Sequence, residues 1–169
     1  AELQRLRILP ESTAPLASSL ESLEQLWSQH LQGHVPLQHL VGRCPWRDFE
    51  LRISPAALIP RQETELLIDF ALDCLQAQPL GRFPIAGRWA DLGTGSGAMA
   101  IALARALPRW DGHAVDLSAA ALDLAHANLN ALTPSRKWLL HQGSWWEPLR
   151  SWWGRFDLVV SNPPYIPSG

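Results

Sequence analysis

A chain of 169 residues, 47% apolar and 18% charged, can bury a sizeable core, and one domain with a small appendage is expected. Its formal charge of −2 gives no electrostatic case for a nucleic-acid partner, although a local basic patch stays open. Cys44 and Cys74 form neither a metal-ligand spacing nor a disulfide framework, the histidines have no ligand-like spacing, and no apolar run approaches the roughly 20 residues that span a bilayer. A soluble cytoplasmic protein with free thiols and no metal is the expectation.

Residues 1–35 read as an N-terminal helical remnant. Ala1 to Ala17, with prolines at 10 and 15, is an irregular lead-in, after which Ser18 or Ser19 caps a helix carrying Leu20, Leu23, Trp27 and Leu31 on one face and ending near Gly33. Such a face calls for a partner. Residues 36–87 follow as a hairpin, a substrate-side loop and a linker helix. Between Trp46 and Ile53, Phe49, Leu51 and Ile53 alternate with charged residues, which predicts a half-buried strand in a hairpin. The proline-punctuated Ser54-Pro-Ala-Ala-Leu-Ile-Pro-Arg-Gln-Glu-Thr-Glu65 then opens a helix with Leu66, Leu67, Phe70, Ala71 and Cys74 on its apolar face. Glu63 and Glu65 suit the dipole at its start. Gln76 to Gly87 is a linker.

From residue 88 to 169 strands and helices alternate, as in a parallel sheet with crossover helices. Trp89-Ala-Asp-Leu-Gly-Thr-Gly-Ser-Gly97 is a strand running into a glycine turn, and Ala98-Met-Ala-Ile-Ala-Leu-Ala104 is the helix after it. Glycines accept positive φ and lack a Cβ, so backbone can approach a ligand at the carboxyl end of the strand. The turn also fits a dinucleotide fingerprint. Asp91 tips the choice, because a carboxylate there meets the cationic amino-acid end of S-adenosylmethionine and repels a pyrophosphate. Gly93, Thr94, Gly95 and Gly97 are thus candidate cofactor contacts.

The strand His113-Ala-Val-Asp116 ends in an acid that can accept from two ribose hydroxyls, with Leu117 beside it, and Ser118 caps a helix through Ala121, Leu122, Leu124, Ala125, Leu129 and Leu132. Past a third strand, Lys137 to His141, the run Gln142-Gly143-Ser144-Trp145 would lie beside the adenine. A fourth strand, Arg155 to Val160, leads directly into Ser161-Asn-Pro-Pro-Tyr165. Its prolines hold the backbone rigid and offer carbonyl acceptors, Asn162 adds a side-chain carbonyl, and Tyr165 adds an aromatic face. An attacking planar nitrogen would donate to Asn162 and to the Pro163 carbonyl, aligned with a methyl donor on its other side.

Taken together, Pro36-Leu-Gln-His-Leu-Val-Gly42, the 54–65 loop, Asp91 to Gly97 and Ser161 to Ile166 resemble the HemK/PrmC family, whose members methylate the glutamine side-chain amide in the Gly-Gly-Gln tripeptide of peptide chain release factors. The resemblance covers roughly residues 36–168. It implies a Rossmann-like, S-adenosylmethionine-dependent methyltransferase core, with a release factor as protein substrate. Asn162, Pro163, Pro164 and Tyr165 would hold the glutamine, and Arg61 and Glu63 would sit near the pocket mouth. Gly93, Gly95, Gly97, Asp116 and Asn162 would line the cofactor.

Gln62 stands where the family usually has proline, and Ser144 where an acid is common. A sheet of this class carries three further strands beyond Tyr165, so the fourth strand is expected to keep an unpaired edge and the sheet a bare apolar face unless more polypeptide or a partner covers them. Two other readings stay open: methyl transfer to a nucleic-acid amine, and a catalytically silent cofactor- or protein-binding module. A nicotinamide oxidoreductase would leave Asn162 to Tyr165 without a role. The nine tryptophans are assigned to packing and lid surface before base stacking.

Overall fold

The computed structural model describes residues 18–77 and 85–163. It divides into two units, residues 1–40 and 41–169. In the first, α1 (Leu20–Gly33) starts where the Ser19 hydroxyl accepts from the Ser22 amide at 3.2 Å and ends where His34 turns left-handed at φ 53°. No residue of α1 is buried, and Leu20, Leu23, Trp27 and Leu31 are exposed. A short α2 (Leu37–Val41) follows.

The second unit begins with a hairpin of β1 (Arg43–Trp46) and β2 (Phe49–Arg52), in which Cys44 faces Leu51 and Trp46 faces Phe49, all four buried. The single strand expected from 46 to 53 therefore contains a turn. Arg47 takes φ 52° there, a conformation that no glycine or asparagine announces in the sequence. Contacts to the next helix, α3 (Thr64–Gln76), hold it: the Arg47 amide donates to the Glu65 carboxylate at 3.1 Å, and the Arg47 guanidinium pairs with Asp69 at 2.7 Å.

The buried face of α3 also differs from the sequence expectation. Thr64, Ile68 and Leu75 are buried with Leu67, Ala71 and Leu72 partly so, whereas Leu66, Phe70 and Cys74 are exposed. Apolar residues occur nearly all round this helix, so periodicity alone does not select which stripe meets the core.

The main sheet holds β3 (Arg88–Leu92), β4 (Asp111–Asp116), β5 (Trp138–Gln142) and β6 (Leu158–Ser161), all parallel, in the order β5-β4-β3-β6. Helix α4 (Ala98–Ala106) joins β3 to β4, and α5 (Ala119–Leu132) joins β4 to β5. Strand period sorts the side chains between two faces. Trp89, Ala114 and Val160 enter the larger core with the hairpin, α3, α4 and Leu129 of α5, while Ala90, Leu92 and Val115 pack on the opposite face against Leu149, Trp152 and Phe156. Leu149 and Trp152 belong to a 3₁₀ turn over Glu147–Trp152. Leu139 and Val159 stay exposed, and among the described residues β5 and β6 each pair on one side only.

Gly112 on β4 has a packing reason that the sequence reading missed. A Cβ at that position would run into the indole of Trp89 on β3, which is fully buried and crosses over it. A glycine inside a strand pattern is the signal for such an approach.

Candidate active site

Four parallel strands aim their carboxyl ends at one edge of the sheet, and their register sets what meets there. Leu92 of β3 lies opposite Val115 on one side and Ser161 on the other, and Asp116 lies opposite Gln142. The glycine turn, Leu117, Gly143 and Asn162 consequently emerge side by side. A 2.8 Å bond from the Ser161 hydroxyl to the Leu92 carbonyl ties two of these ends together.

Gly93, Gly95 and Gly97 all lie at positive φ, 77°, 55° and 84°. The Gly93 and Thr94 amides both donate to the Val115 carbonyl at 2.9 Å, which curls the turn back over β4. Gly97 opens α4 with its Cα against Ala125, where a Cβ would come within 3.3 Å of that residue. Gly93 faces open space instead and is exposed, so the turn has an accessible side. The 54–63 loop leans over the turn, Ala57 lying 3.7 Å from where a Gly95 side chain would begin.

Asp91 sits beneath this turn, completely buried. One carboxylate oxygen, Oδ2, accepts from the Thr94 hydroxyl at 2.7 Å, and the other, Oδ1, is buried with no hydrogen-bond partner. Burial pushes its pKa up to about 7; the nearby Asp116 charge adds to this, while Thr94 and the Ala100 amide oppose it. A carboxylate so placed can hold a proton or pair with a cation.

Asp116 presents the opposite case, being half-exposed and well supplied with donors. Oδ2 accepts from the Gly95 amide at 2.8 Å and Oδ1 from the Ser118 amide at 2.9 Å, so it organises the turn and the start of α5. Each oxygen still has a second lone pair for a ligand hydroxyl. Ser118 itself caps α5 through the Ala121 amide at 3.2 Å. Next to it Leu117 is exposed, and its carbonyl accepts from the Gln142 side-chain Nε2 at 3.4 Å. The Gly143 amide donates to the Asp116 carbonyl at 3.0 Å, and the Ser144 carbonyl accepts from Glu147 at 3.0 Å. Trp145, at φ 48°, is exposed at the end of this run.

At the end of β6 the Asn162 side-chain nitrogen donates to the Thr64 hydroxyl at 2.8 Å, and Pro163 is half-buried beside it. Pro164 and Tyr165 lie outside the described residues. The Arg61 and Glu63 side chains are exposed; Arg61 contributes its carbonyl to the Trp46 indole at 3.1 Å, and Glu63 makes no capping bond to α3. Two further residues brace this edge without having been singled out in the sequence, Thr64 and Asn128. Thr64 lies inside the 54–65 motif; Asn128 is a buried polar residue in an otherwise apolar helical stripe.

A parallel sheet with a glycine turn after its first strand, an acid after the second and an Asn-Pro pair after the fourth defines the Rossmann-like methyltransferase class of fold. Residues 64–168 match the methyltransferase small domain, and the chain belongs to that family. It is similar to the release factor glutamine methyltransferase of Prochlorococcus marinus, 60% identical over 165 residues, covering 98% of this chain and 55% of the relative. The release factor glutamine methyltransferase of Gloeobacter violaceus is 45% identical over 166 residues, again 98% of this chain and 55% of the relative. The chain thus spans about half the length of these curated relatives. Its fold is shared with human methyltransferase 10 domain containing protein, with a TM-score of 0.52 at 21% identity over 69% of this chain and 54% of the other. No helix among the described residues is long and apolar enough to cross a membrane.

Proposed function

We propose that this chain carries the cofactor site and the acceptor loop of a methyltransferase that uses S-adenosylmethionine to methylate the glutamine side-chain amide in the Gly-Gly-Gln tripeptide of a peptide chain release factor. The observation that carries the reading is the meeting of Asp91, Asp116 and the Asn162–Pro163 pair at one sheet edge, under a glycine turn with an open side. The names of relatives up to 60% identical support the acceptor. The cytoplasm, where release factors act, is the compartment that goes with it.

The residues present fit the cofactor. Buried Asp91 Oδ1 lacks a partner and suits an ammonium group, while Asp116 has lone pairs left for ribose hydroxyls. Gly143, Ser144 and Trp145 would border the adenine, with Leu117 supplying an apolar contact. When bound, S-adenosylmethionine supplies an electrophilic methyl group on a sulfonium sulfur, which keeps the bonding electron pair and becomes a neutral thioether.

The protein's part is positioning. Asn162 Oδ1 and the Pro163 carbonyl would each accept one hydrogen of the incoming amide, turning the nitrogen lone pair toward the methyl carbon. Alignment of this kind supplies much of the acceleration in a displacement that needs no general base before attack. The methylated amide then sheds one proton to water. Pro164 and Tyr165 would complete the acceptor cradle, with Arg61 and Glu63 meeting the protein substrate at its mouth.

Transfer of labelled methyl from S-adenosylmethionine to a purified release factor tests this reading. Label should appear on the unsubstituted target and vanish with Asn162→Ala or with a target whose tripeptide glutamine is replaced. Cofactor binding by calorimetry without any transfer would favour a binding module instead, and label on a nucleic acid alone would reassign the acceptor.

A further inference from the structure

We infer that Thr64 is a positioning residue for the acceptor site: its hydroxyl anchors the Asn162 side-chain amide in the rotamer that the incoming nitrogen meets. The inference rests on the reading of Asn162 as the acceptor-holding residue. It begins from one contact, the 2.8 Å bond from Asn162 Nδ2 to Thr64 Oγ1, between residues 98 positions apart in sequence.

An exposed asparagine side chain samples several rotamers, and the acceptor chemistry needs one of them: an incoming amide nitrogen brings two hydrogens, so it must meet Oδ1. The hydroxyl of Thr64, at the start of α3, receives Nδ2 and holds the side chain in place. A hydroxyl can donate as well as accept, so what Thr64 supplies is the anchor of the amide.

The placement of Thr64 suits this task. It is the first residue of α3 and 8% exposed, and its amide donates to the Arg61 carbonyl at 3.2 Å, so its backbone is held at both ends of a tight turn. Its hydroxyl is not consumed in capping the helix, since the residue before it occupies the cap position. The 54–65 motif thus reaches the chemistry from beneath through Thr64, while its exposed Arg61 and Glu63 face outward.

Thr64→Val keeps the shape and removes the acceptor; Thr64→Ser keeps the acceptor. With the release factor as substrate, Thr64→Val should lower kcat by about 10- to 100-fold. Its KM for S-adenosylmethionine should stay within about threefold, and Thr64→Ser should restore most of kcat, a split that a merely structural role would not produce. A second readout does not depend on activity. In protein labelled with ¹⁵N-asparagine, the Asn162 side-chain NH₂ resonance, assigned by its loss in Asn162→Ala, should move toward the solvent-exposed position in Thr64→Val and stay in place in Thr64→Ser. Wild-type kcat in Thr64→Val, or an unmoved NH₂ resonance, overturns the inference. If the unsubstituted protein transfers no methyl at all, the function proposed above fails separately, and the resonance still decides whether Thr64 sets the Asn162 amide.

Discussion

Asn128 and Arg52 exchange a pair of hydrogen bonds: Asn128 Oδ1 accepts from the Arg52 amide at 2.9 Å, and Nδ2 donates to the Arg52 carbonyl at 3.0 Å. The same Nδ2 donates to the Ser96 carbonyl at 2.9 Å, so one side chain on α5 continues the ladder of β2 and grips the glycine turn. Asn128 is 1% exposed, and water has no ready route to replace it. Asn128→Ala should therefore cost about 2–4 kcal/mol, from three lost bonds and the backbone groups left unpaired. Urea unfolding measures this, with Asn130→Ala on the exposed side of the same helix as the control, expected to change stability by less than about 0.5 kcal/mol. Equal effects of the two substitutions would remove Asn128 from any bracing role.

The parts of the fold that depend on local pattern were legible in the sequence, and the parts that depend on distant partners were not. Four strands and two crossover helices announced themselves because apolar runs ended at glycines, at Asp116 and at Asn162. The two-residue turn at Arg47 and Asp48 stayed hidden because its left-handed residue is an arginine, held by Glu65 and Asp69 from another element. The buried stripe of α3 was misread because Leu66 and Phe70 are as apolar as Ile68 and Leu75, and only packing chooses between them. At the candidate site, the types of residue at the strand ends were readable. Thr64 and Asn128 were not, since a hydroxyl at a helix start and an amide in a helix are ordinary until their partners are known.

If S-adenosylmethionine binds as proposed, Asp91 should give its affinity a pH dependence whose sign follows from burial. Its pKa is pushed up to about 7, so below neutral pH the free protein holds it mainly protonated. Binding an ammonium group favours the ionised form and must expel that proton. Affinity for S-adenosylmethionine should then fall by up to about tenfold per pH unit below 7. Calorimetry at pH 6.5 in two buffers of different ionisation heat should register proton release. Asp91→Asn should bind more weakly and lose the dependence, and a pH-independent affinity in the unsubstituted protein would count against the ion pair.

Two glycines should respond to alanine in different ways. A methyl group at Gly112 collides with the buried Trp89 indole, and overpacking in a rigid core typically costs about 1–3 kcal/mol. At Gly93 the methyl meets nothing, but φ is 77°, so the cost is backbone strain of about 1 kcal/mol. Gly112→Ala should mainly lower the urea midpoint and change the tryptophan emission. Gly93→Ala should mainly weaken cofactor binding, because the added carbon occupies the open side of the turn. The reverse assignment of effects would place the ligand elsewhere.

The sheet face away from α4 holds a pair of parallel imidazoles joined edge to edge by a hydrogen bond, and they should contribute to the pH dependence of stability. His113 on β4 and His141 on β5 lie 5.1 Å apart between ring centres and share a 2.9 Å hydrogen bond from Nδ1 to Nε2, one ring donating. Trp152 and Phe156 close over His113, and the Arg88 guanidinium covers the Trp152 ring at 4.4 Å. Burial, followed by the His141 and Arg88 charges, drives the His113 pKa down from 6.5 to about 4 against an opposing pull from Asp111, and burial lowers His141 as well. A pKa lower in the fold than in the unfolded chain means that the unfolded chain takes up protons first. The contribution is complete above pH 6.5 and is lost as pH falls toward 4. Asp91 acts in the opposite sense, since its raised pKa makes ionisation costly as pH rises through about 7. Removing one imidazole separates the two. His113 and Asp91 oppose each other between pH 6.5 and 4.5, so His113→Phe should tilt the urea midpoint toward a rise on acidification, the part that Asp91 contributes. An unchanged pH profile in that variant would mean that the imidazole pair is solvated in the folded protein.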